Sequence, residues 1–126
     1  MILLDANILL EILIAGRPRS REVLDWLELN ELPCCISMLT VHLVLHFGLK
    51  DGLSIETLQL FLADYSKVAL LPEDYAVALR LLKGRDHEDA MQLAIAERSD
   101  CTAIVTLDKA FATAYGEIIP FIALGA

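Results

Sequence analysis

Four aspartates in this chain stand where carboxylates could do chemistry. Asp5 and Asp108 each follow a short apolar run, while Asp86 and Asp89 lie three residues apart at the start of a stretch with helical spacing. Carboxylates gathered in one place repel one another, and the repulsion is tolerable only if a cation binds or pKa values rise. A hard divalent ion with oxygen ligands would neutralise them and could activate water for attack on a phosphodiester.

Each of these aspartates also has a purely structural explanation. Asp is a preferred N-cap residue, and Asp5 and Asp108 both precede stretches with helical spacing. Asp86 and Asp89 suit the first turn of a helix, because acids interact favourably with the positive end of the helix dipole. Capping explains each residue singly, but it gives no reason for several of them to meet.

The elements that must position these residues follow from the periodicity, which alternates between short apolar runs and helical spacing. The pattern predicts strands at residues 2–4, 34–37, 68–71 and 103–106, with a last strand or edge at 118–124. It predicts helices at 8–14, 40–49, 72–82, 86–99 and 109–115, and two more that open at Ser20 and Ser54 as capping residues. We therefore expect one α/β domain over residues 1–126, a Rossmann-like three-layer α/β/α sandwich with a central parallel sheet.

That architecture predicts where the aspartates lie. In open parallel sheets, ligands bind beyond the carboxyl ends of the strands, and Asp5 and Asp108 fall at that edge. Asp89 lies in the first turn of the helix that precedes the strand at 103–106, with Asp86 on a similar face. The residues by themselves thus predict an acidic, metal-binding pocket that contains Asp5, Asp89 and Asp108.

Composition limits the partners and the compartment. The chain carries 18 acidic and 10 basic residues, and a net charge of -8 argues against nucleic-acid binding through a broad basic face. Arg17, Arg19 and Arg21 form the only dense basic stretch. No apolar run is long enough for a bilayer, and Met1 leads into MILLD without the features of a secretory signal. We expect a cytoplasmic protein with no membrane segment and with reduced cysteines.

Three stretches, LLDANILLE, CISMLT and DHEDAMQLAIAERSDCTAIVTLDKAF, resemble the successive motifs of PIN domains, the small nuclease fold of VapC-type toxins. That family opens with an Asp after an apolar strand, often followed two positions later by Asn, as in Asp5 and Asn7. Its later motif is an Asp leading an Ala-rich helix and then Thr-x-Asp, matched by Asp89, Thr106 and Asp108. The resemblance covers nearly the whole chain.

The resemblance implies an endoribonuclease that depends on Mg²⁺ or Mn²⁺, acts on RNA and is often a homodimer. In many such proteins the nuclease is a toxin neutralised by an antitoxin encoded beside it. It further implies that Asp5, Asp89 and Asp108 hold the metal. The supporting positions that it suggests are Asn7, Ser37, Thr106, Asp86 and His42. Asn7 and Thr106 would orient ligands or water, and Ser37 would end the second strand near the site.

The chain departs from the PIN pattern at one place. PIN nucleases usually carry a Glu on the helix after the second strand, but counting from Ser37 puts Leu43 there, and a shift of one puts His42 there. We take His42, whose imidazole would favour Mn²⁺ or another softer ion. His42 and His46 are also spaced to chelate zinc, yet no HExxH pattern or further Cys/His ligand cluster accompanies them, so packing is the preferred interpretation.

Other function classes stay open. A catalytically weak or silent PIN-like domain would keep the fold and act as an RNA- or protein-binding module. A receiver-type signalling domain also carries acids at strand ends, but it requires an Asp after a middle strand, where this chain has Ser37. The apolar face of the helix that follows Ser20 could dock an antitoxin helix or a second copy, or it could be ordinary core.

Overall fold

The computed structural model describes residues 1–125, in which five strands and seven helices alternate. The strands are β1 (Ile2–Leu4), β2 (Cys34–Ser37), β3 (Ser66–Val68), β4 (Ala103–Thr106) and β5 (Phe121–Ala123). The helices are α1 (Ala6–Leu13), α2 (Ser20–Leu29), α3 (Met38–Lys50), α4 (Ile55–Ala63), α5 (Pro72–Leu81), α6 (His87–Arg98) and α7 (Lys109–Tyr115). Within residues 1–125 no helix combines the length and the apolar character that crossing a membrane requires.

All five strands run parallel in one sheet of order β3-β2-β1-β4-β5. The central strand is β1, where Ile2 lies opposite Cys34 of β2 and Ala103 of β4. The chain builds outward from β1 to β3 and then crosses back to place β4 and β5 on the other side. The switch point therefore lies between the carboxyl ends of β1 and β4, where open α/β sheets bind ligands.

Helices cover both faces of this sheet. Ile2 and Leu4 pack in a core cluster with residues of α1, α2, α3 and α4. Leu3 packs on the opposite face, in a cluster with residues of α6 and α7. This alternation is what the pleat of a strand requires. The two cores confirm the predicted three-layer α/β/α sandwich, and the three cysteines are free thiols, two of them buried.

Several predicted boundaries differ from the structure. The third strand lies at Ser66–Val68, not at 68–71, because its first two residues are exposed at the sheet edge and no apolar run marks them. Ser20 is the first residue of α2 and not its cap, which is Arg19. The helices α1 and α3 begin at residues 6 and 38, earlier than the predicted 8 and 40, because Asp5 and Ser37 cap them directly at the strand ends.

An ion pair fixes α6, the helix that carries Asp89, against α5. Asp74 of α5 is 1% exposed, and its carboxylate accepts hydrogen bonds from Arg98 Nε at 2.8 Å and Arg98 Nη2 at 3.0 Å. The backbone N–H of Leu71 donates to the same carboxylate at 2.8 Å. Because loss of one partner would leave a buried charge uncompensated, this pair holds the two helices in one arrangement.

Candidate metal centre

Three helices begin with an aspartate at the carboxyl ends of β1 and β4. Asp5 accepts a hydrogen bond from the first backbone N–H of α1 at 2.8 Å. One oxygen of Asp108, Oδ1, accepts from two backbone N–H groups of α7, at 2.9 and 3.1 Å. Asp86 caps α6 by accepting from the backbone N–H of Asp89 at 3.2 Å. The capping explanation therefore holds for Asp5, Asp86 and Asp108, and the helix starts bring their carboxylates to the switch point.

The carboxylates meet as the sequence predicts, with one addition. Asp5, Asp89 and Asp108 line one cavity of about 190 Å³. The most compact group is formed by Asp86, Asp89 and Asp108, each of which contributes one carboxylate oxygen that lies within 4.8 Å of the other two. The sequence predicted a metal site of Asp5, Asp89 and Asp108, but in the most compact trio Asp86 stands in place of Asp5. Asp5 lies deeper in the cavity, at 7% exposure.

Burial and mutual repulsion perturb two of these acids. Burial raises the pKa of Asp5 to about 6, against the opposing effect of its hydrogen bonds and with a further rise from the charges of Asp108 and Asp86. Burial also raises the pKa of Asp89 to about 8, together with a hydrogen bond to Asp86 and the charges of all three other aspartates. The side chains that line this cavity include acids but no base, so its ionised carboxylates are not neutralised from within it. Their oxygens are ligands that fit a hard divalent cation.

The hydroxyl of Thr106 fixes the orientation of Asp5. Thr106 Oγ1 donates to Asp5 Oδ2 at 2.7 Å and accepts from Asn7 Nδ2 at 3.1 Å and from the backbone N–H of Asp108 at 3.0 Å. The last two groups can only donate, so the hydroxyl proton must point to Asp5. The backbone N–H of Leu107 donates to Asn7 Oδ1 at 3.1 Å and fixes that amide. Asn7 and Thr106 thus position the carboxylate of Asp5.

A buried polar triangle lies behind the cavity. Ser37 Oγ donates to Gln92 Oε1 at 2.7 Å, Gln92 Nε2 donates to Thr40 Oγ1 at 2.7 Å, and the backbone N–H of Thr40 donates to Ser37 Oγ at 3.1 Å. Gln92 lines the acidic cavity, and Ser37 reaches it only through Gln92. Sequence reasoning missed Gln92, although a polar residue three positions after Asp89 lies on the same helix face.

Helix α3 presents Leu43 to the cavity and not His42. Leu43 and Phe47, one turn apart, line the cavity, whereas His42 is exposed and stacks on His46 with 6.2 Å between ring centroids. The placement of His42 in the site is therefore wrong, because α3 begins directly after Ser37 and the unshifted register holds. Within residues 1–125 the two histidines belong to no group of three metal-ligating side chains.

A second cavity of about 300 Å³ adjoins the acidic one, since Asn7 and Asp108 line both. Arg17, Arg19 and Glu11 line this second cavity, which we call the arginine cavity. The third arginine of the basic stretch, Arg21, lies elsewhere: its side chain is 86% exposed and pairs with Asp25 at 3.8 Å. Two of the three arginines therefore flank the acidic cluster.

Comparison with known proteins agrees with this architecture. The PIN domain family matches residues 2–117, and no curated protein sequence matches the chain. A toxin-antitoxin complex from Klebsiella pneumoniae is similar in structure, with a TM-score of 0.74, 23% identity and coverage of 98% of this chain and 97% of that one. VapC20 of Mycobacterium tuberculosis, a sarcin-ricin loop cleaving toxin, has a TM-score of 0.75 at 13% identity over 90% of this chain and 95% of its own.

A third solved structure is VapBC2 from Rickettsia felis, bound to a DNA fragment from its promoter. Its TM-score is 0.70 at 17% identity, with coverage of 99% of this chain and 100% of that one. At such identities these likenesses concern the fold. The family match, in contrast, spans residues 2–117 of 126 and confirms the resemblance seen in the sequence. The chain belongs to the PIN domain family.

Proposed function

We propose that this protein is a metal-dependent endoribonuclease of PIN type and the toxin of a toxin-antitoxin pair. The observation that carries the proposal is the group of aspartates at the switch point, with three carboxylate oxygens within 4.8 Å and a cavity with two arginines beside it. Family membership supports nuclease chemistry, and the similar VapC20 is a toxin that cleaves the sarcin-ricin loop.

The donor set fits Mg²⁺ or Mn²⁺, because both ions take carboxylate oxygens as ligands. Asp89, Asp108 and Asp5 would hold the ion, with Asp86 completing the group at the exposed side. Such an ion supplies two things when it is bound: it lowers the pKa of a water molecule and it neutralises charge on the scissile phosphate.

The chain's own residues would prepare the site for phosphodiester hydrolysis. Asp108 uses Oδ1 for the α7 cap, which leaves Oδ2 available for a ligand. Thr106 keeps Asp5 in one orientation through its 2.7 Å hydrogen bond. Leu43 and Phe47 form an apolar wall of the cavity, which restricts water on that side. Arg17 and Arg19 would bind RNA phosphates next to the scissile one.

A cleavage assay tests the proposal. A panel of structured RNAs is incubated with the protein in MnCl₂, in MgCl₂ and in a chelator, and products are mapped at nucleotide resolution. Specific endonucleolytic products should form only with a divalent cation. Cleavage that persists in the chelator at the same rate would show contamination or different chemistry, and would contradict the assignment.

An antitoxin partner and self-association are part of the same proposal, and the similar toxin-antitoxin complexes support them. The docking face expected on α2 is only partly available, because Val23 is fully buried and Leu27 packs against the core. Leu24 and Leu29, at 46% and 80% exposure, remain for contacts. Gel filtration of the chain alone tests self-association, and gel filtration with the product of the adjacent gene tests antitoxin binding.

Charge reversal at the arginine cavity should weaken RNA binding. Arg17→Glu or Arg19→Glu places a negative charge beside the path of the RNA backbone. We therefore expect the affinity for RNA to fall roughly five- to tenfold, and the slope of log affinity against log salt concentration to decrease in magnitude by about 1. Fluorescence anisotropy with labelled RNA at several salt concentrations measures both, in an Asp108→Asn background that prevents turnover. Arg21→Glu is the matched control, because Arg21 lies outside both cavities. An equal loss in the control would indicate a general charge effect.

A catalytically weak or silent domain is the second candidate, favoured by the apolar Leu43 at the place where the family usually has Glu. We expect Leu43→Glu to lower the metal concentration for half-maximal cleavage about tenfold, because it adds a carboxylate to the cavity. His42→Glu adds the same charge on the exposed side of α3 and should change nothing. If only Leu43→Glu cleaves RNA and the native chain does not, the silent candidate replaces the enzyme.

A further inference from the structure

Lys83 lies beside the aspartate group without being paired to it. It lines a third cavity, of about 190 Å³, together with the three aspartates of the most compact group, and we call this the lysine cavity. Neither of the two ion pairs found among residues 1–125 includes Lys83. Lys83 is exposed, so its ammonium group can be reached by an anionic ligand.

Contacts with the end of α7 fix the position of Lys83. Its backbone N–H donates to the hydroxyl of Tyr115 at 3.0 Å, and Tyr115 is 2% exposed. Its Nζ donates to the backbone carbonyl of Ala114 at 2.6 Å and lies 5.4 Å from the centre of the Tyr115 ring. An ammonium group has three N–H donors, and the hydrogen bonds of residues 1–125 use one of them. The other two, and the charge, remain for a ligand.

The lysine cavity and the arginine cavity adjoin the acidic cavity from different sides. Asp108 lines all three, but the arginine cavity shares residues of α1 with the acidic cavity, whereas the lysine cavity shares Asp89 of α6 with it. Helix α1 packs on one face of the sheet, and helices α6 and α7 pack on the other. Basic side chains from both helical layers therefore flank the carboxylates.

A polyanion fits this arrangement better than a single small anion. A small anion in either flanking cavity would meet aspartates as well as the basic group, and the repulsion would cancel much of the attraction. An RNA strand carries one charge at each phosphate. Its scissile phosphate can therefore lie at the proposed metal while the neighbouring phosphates reach basic groups on the two sides.

We propose that Lys83 binds the RNA phosphate next to the scissile one, on the side opposite to the phosphate bound by Arg19. This inference rests on the proposed nuclease function. The RNA backbone then crosses the carboxyl ends of β1 and β4 from the α1 layer to the layer of α6 and α7. Lys83 holds the strand in place over the aspartates and takes no part in breaking the bond.

Neutral phosphates test the contact without requiring cleavage. RNAs with a single methylphosphonate, placed in turn at each position around the mapped cleavage site, carry a 2′-O-methyl group at that nucleotide for chemical stability. The reference RNAs have the same 2′-O-methyl group and an unmodified phosphate. Affinity is measured by fluorescence anisotropy in MgCl₂, in the Asp108→Asn background.

One methylphosphonate next to the cleavage site should weaken binding roughly five- to tenfold, because it removes the charge that the ammonium group contacts. In Lys83→Met the same replacement should cost nothing further, whereas Lys83→Arg keeps the charge and should keep the loss. Arg19→Gln should remove the effect of a methylphosphonate on the other side of the cleavage site.

Lys67→Met is the matched control. Lys67 Nζ also donates to backbone carbonyl groups, those of Leu62 and Tyr65 at 2.7 and 2.9 Å, but Lys67 lies on the edge strand β3 and lines none of the three cavities. Its methylphosphonate profile should equal that of the parent. A lysine that only supports the fold would change the affinity for all these RNAs alike, and thermal denaturation confirms that each variant is folded.

A profile in Lys83→Met that matches the parent would overturn the inference, and so would a Lys83-dependent phosphate on the same side as the Arg19-dependent one. Metal-dependent cleavage together with either result would leave the nuclease proposal standing. If no RNA is cleaved, the scan covers the whole bound RNA. A Lys83-dependent phosphate in an RNA that is bound but never cut would keep the phosphate contact and remove the nuclease.

Discussion

Asp108→Asn should lower the rate of RNA cleavage by about 10³-fold or more, about 4 kcal/mol of transition-state stabilisation, without unfolding the protein. The reason lies in the two oxygens of this carboxylate. Oδ1 caps α7 at 2.9 and 3.1 Å, and an asparagine oxygen can replace it in the cap. The oxygen lost is Oδ2, the one available to a metal. Single-turnover cleavage in MnCl₂ measures the rate, and circular dichroism reports the fold.

Asp108→Asn tests the metal site more directly than Asp5→Asn would. In Asp5→Asn, an amide group would face the hydroxyl of Thr106, whose acceptor positions are already occupied by N–H groups of Asn7 and Asp108. That variant would disturb the network as well as the metal site. Asp25→Asn is the matched control, because its side chain is 58% exposed on α2 and should leave the rate unchanged. Wild-type activity in Asp108→Asn would remove Asp108 from the proposed metal site.

Part of this site could be predicted because it depends on local rules. Asp5 and Asp108 follow strands and cap helices, so the alternation of strands and helices is sufficient to bring them to one edge of the sheet. The spacing of Asp86 and Asp89 at one helix start adds the other two carboxylates. The roles of these residues remain proposals, but their proximity follows from topology.

The remainder could not be predicted because it depends on contacts between distant residues. Gln92 is buried against Ser37, which lies 55 positions earlier, and no spacing rule connects the two. Glu11 follows an apolar run and looks like the polar side of a helix, until the fold buries it without a partner. The choice between His42 and Leu43 depended on the first residue of α3, which helix-start signals place only to within a turn.

The acidic cavity also has a cost for folding. An aspartate with a raised pKa binds its proton more tightly in the folded state than in the unfolded chain, so ionisation at higher pH opposes folding. The hydrogen bonds from Thr106 and the α1 cap offset only part of this cost at Asp5. A divalent cation would offset the remainder. The same carboxylates therefore link metal binding, pH and stability.

Without a divalent cation, the stability contributed by these carboxylates should fall as the pH rises. For Asp5 the pKa rises from 3.8 unfolded to about 6 folded, so the loss begins near pH 4 and is complete above pH 6, at about 3 kcal/mol. For Asp89, with a folded pKa of about 8, the decline continues to about pH 8. Urea denaturation at pH 4 to 8 in a chelator measures the profile.

Asp89→Asn and added metal separate this effect from the other titrations of the chain. In the chelator, Asp89→Asn should be more stable than the wild type at pH 8, and the difference should shrink toward pH 4, where Asp89 is protonated in the folded state and partly protonated in the unfolded chain. MgCl₂ or MnCl₂ at 100 times the dissociation constant should add about 2.7 kcal/mol to the wild type at pH 8 and much less to the variant. A wild type that is unaffected by either metal, with a profile parallel to that of Asp89→Asn, would mean that these aspartates do not form a cation site.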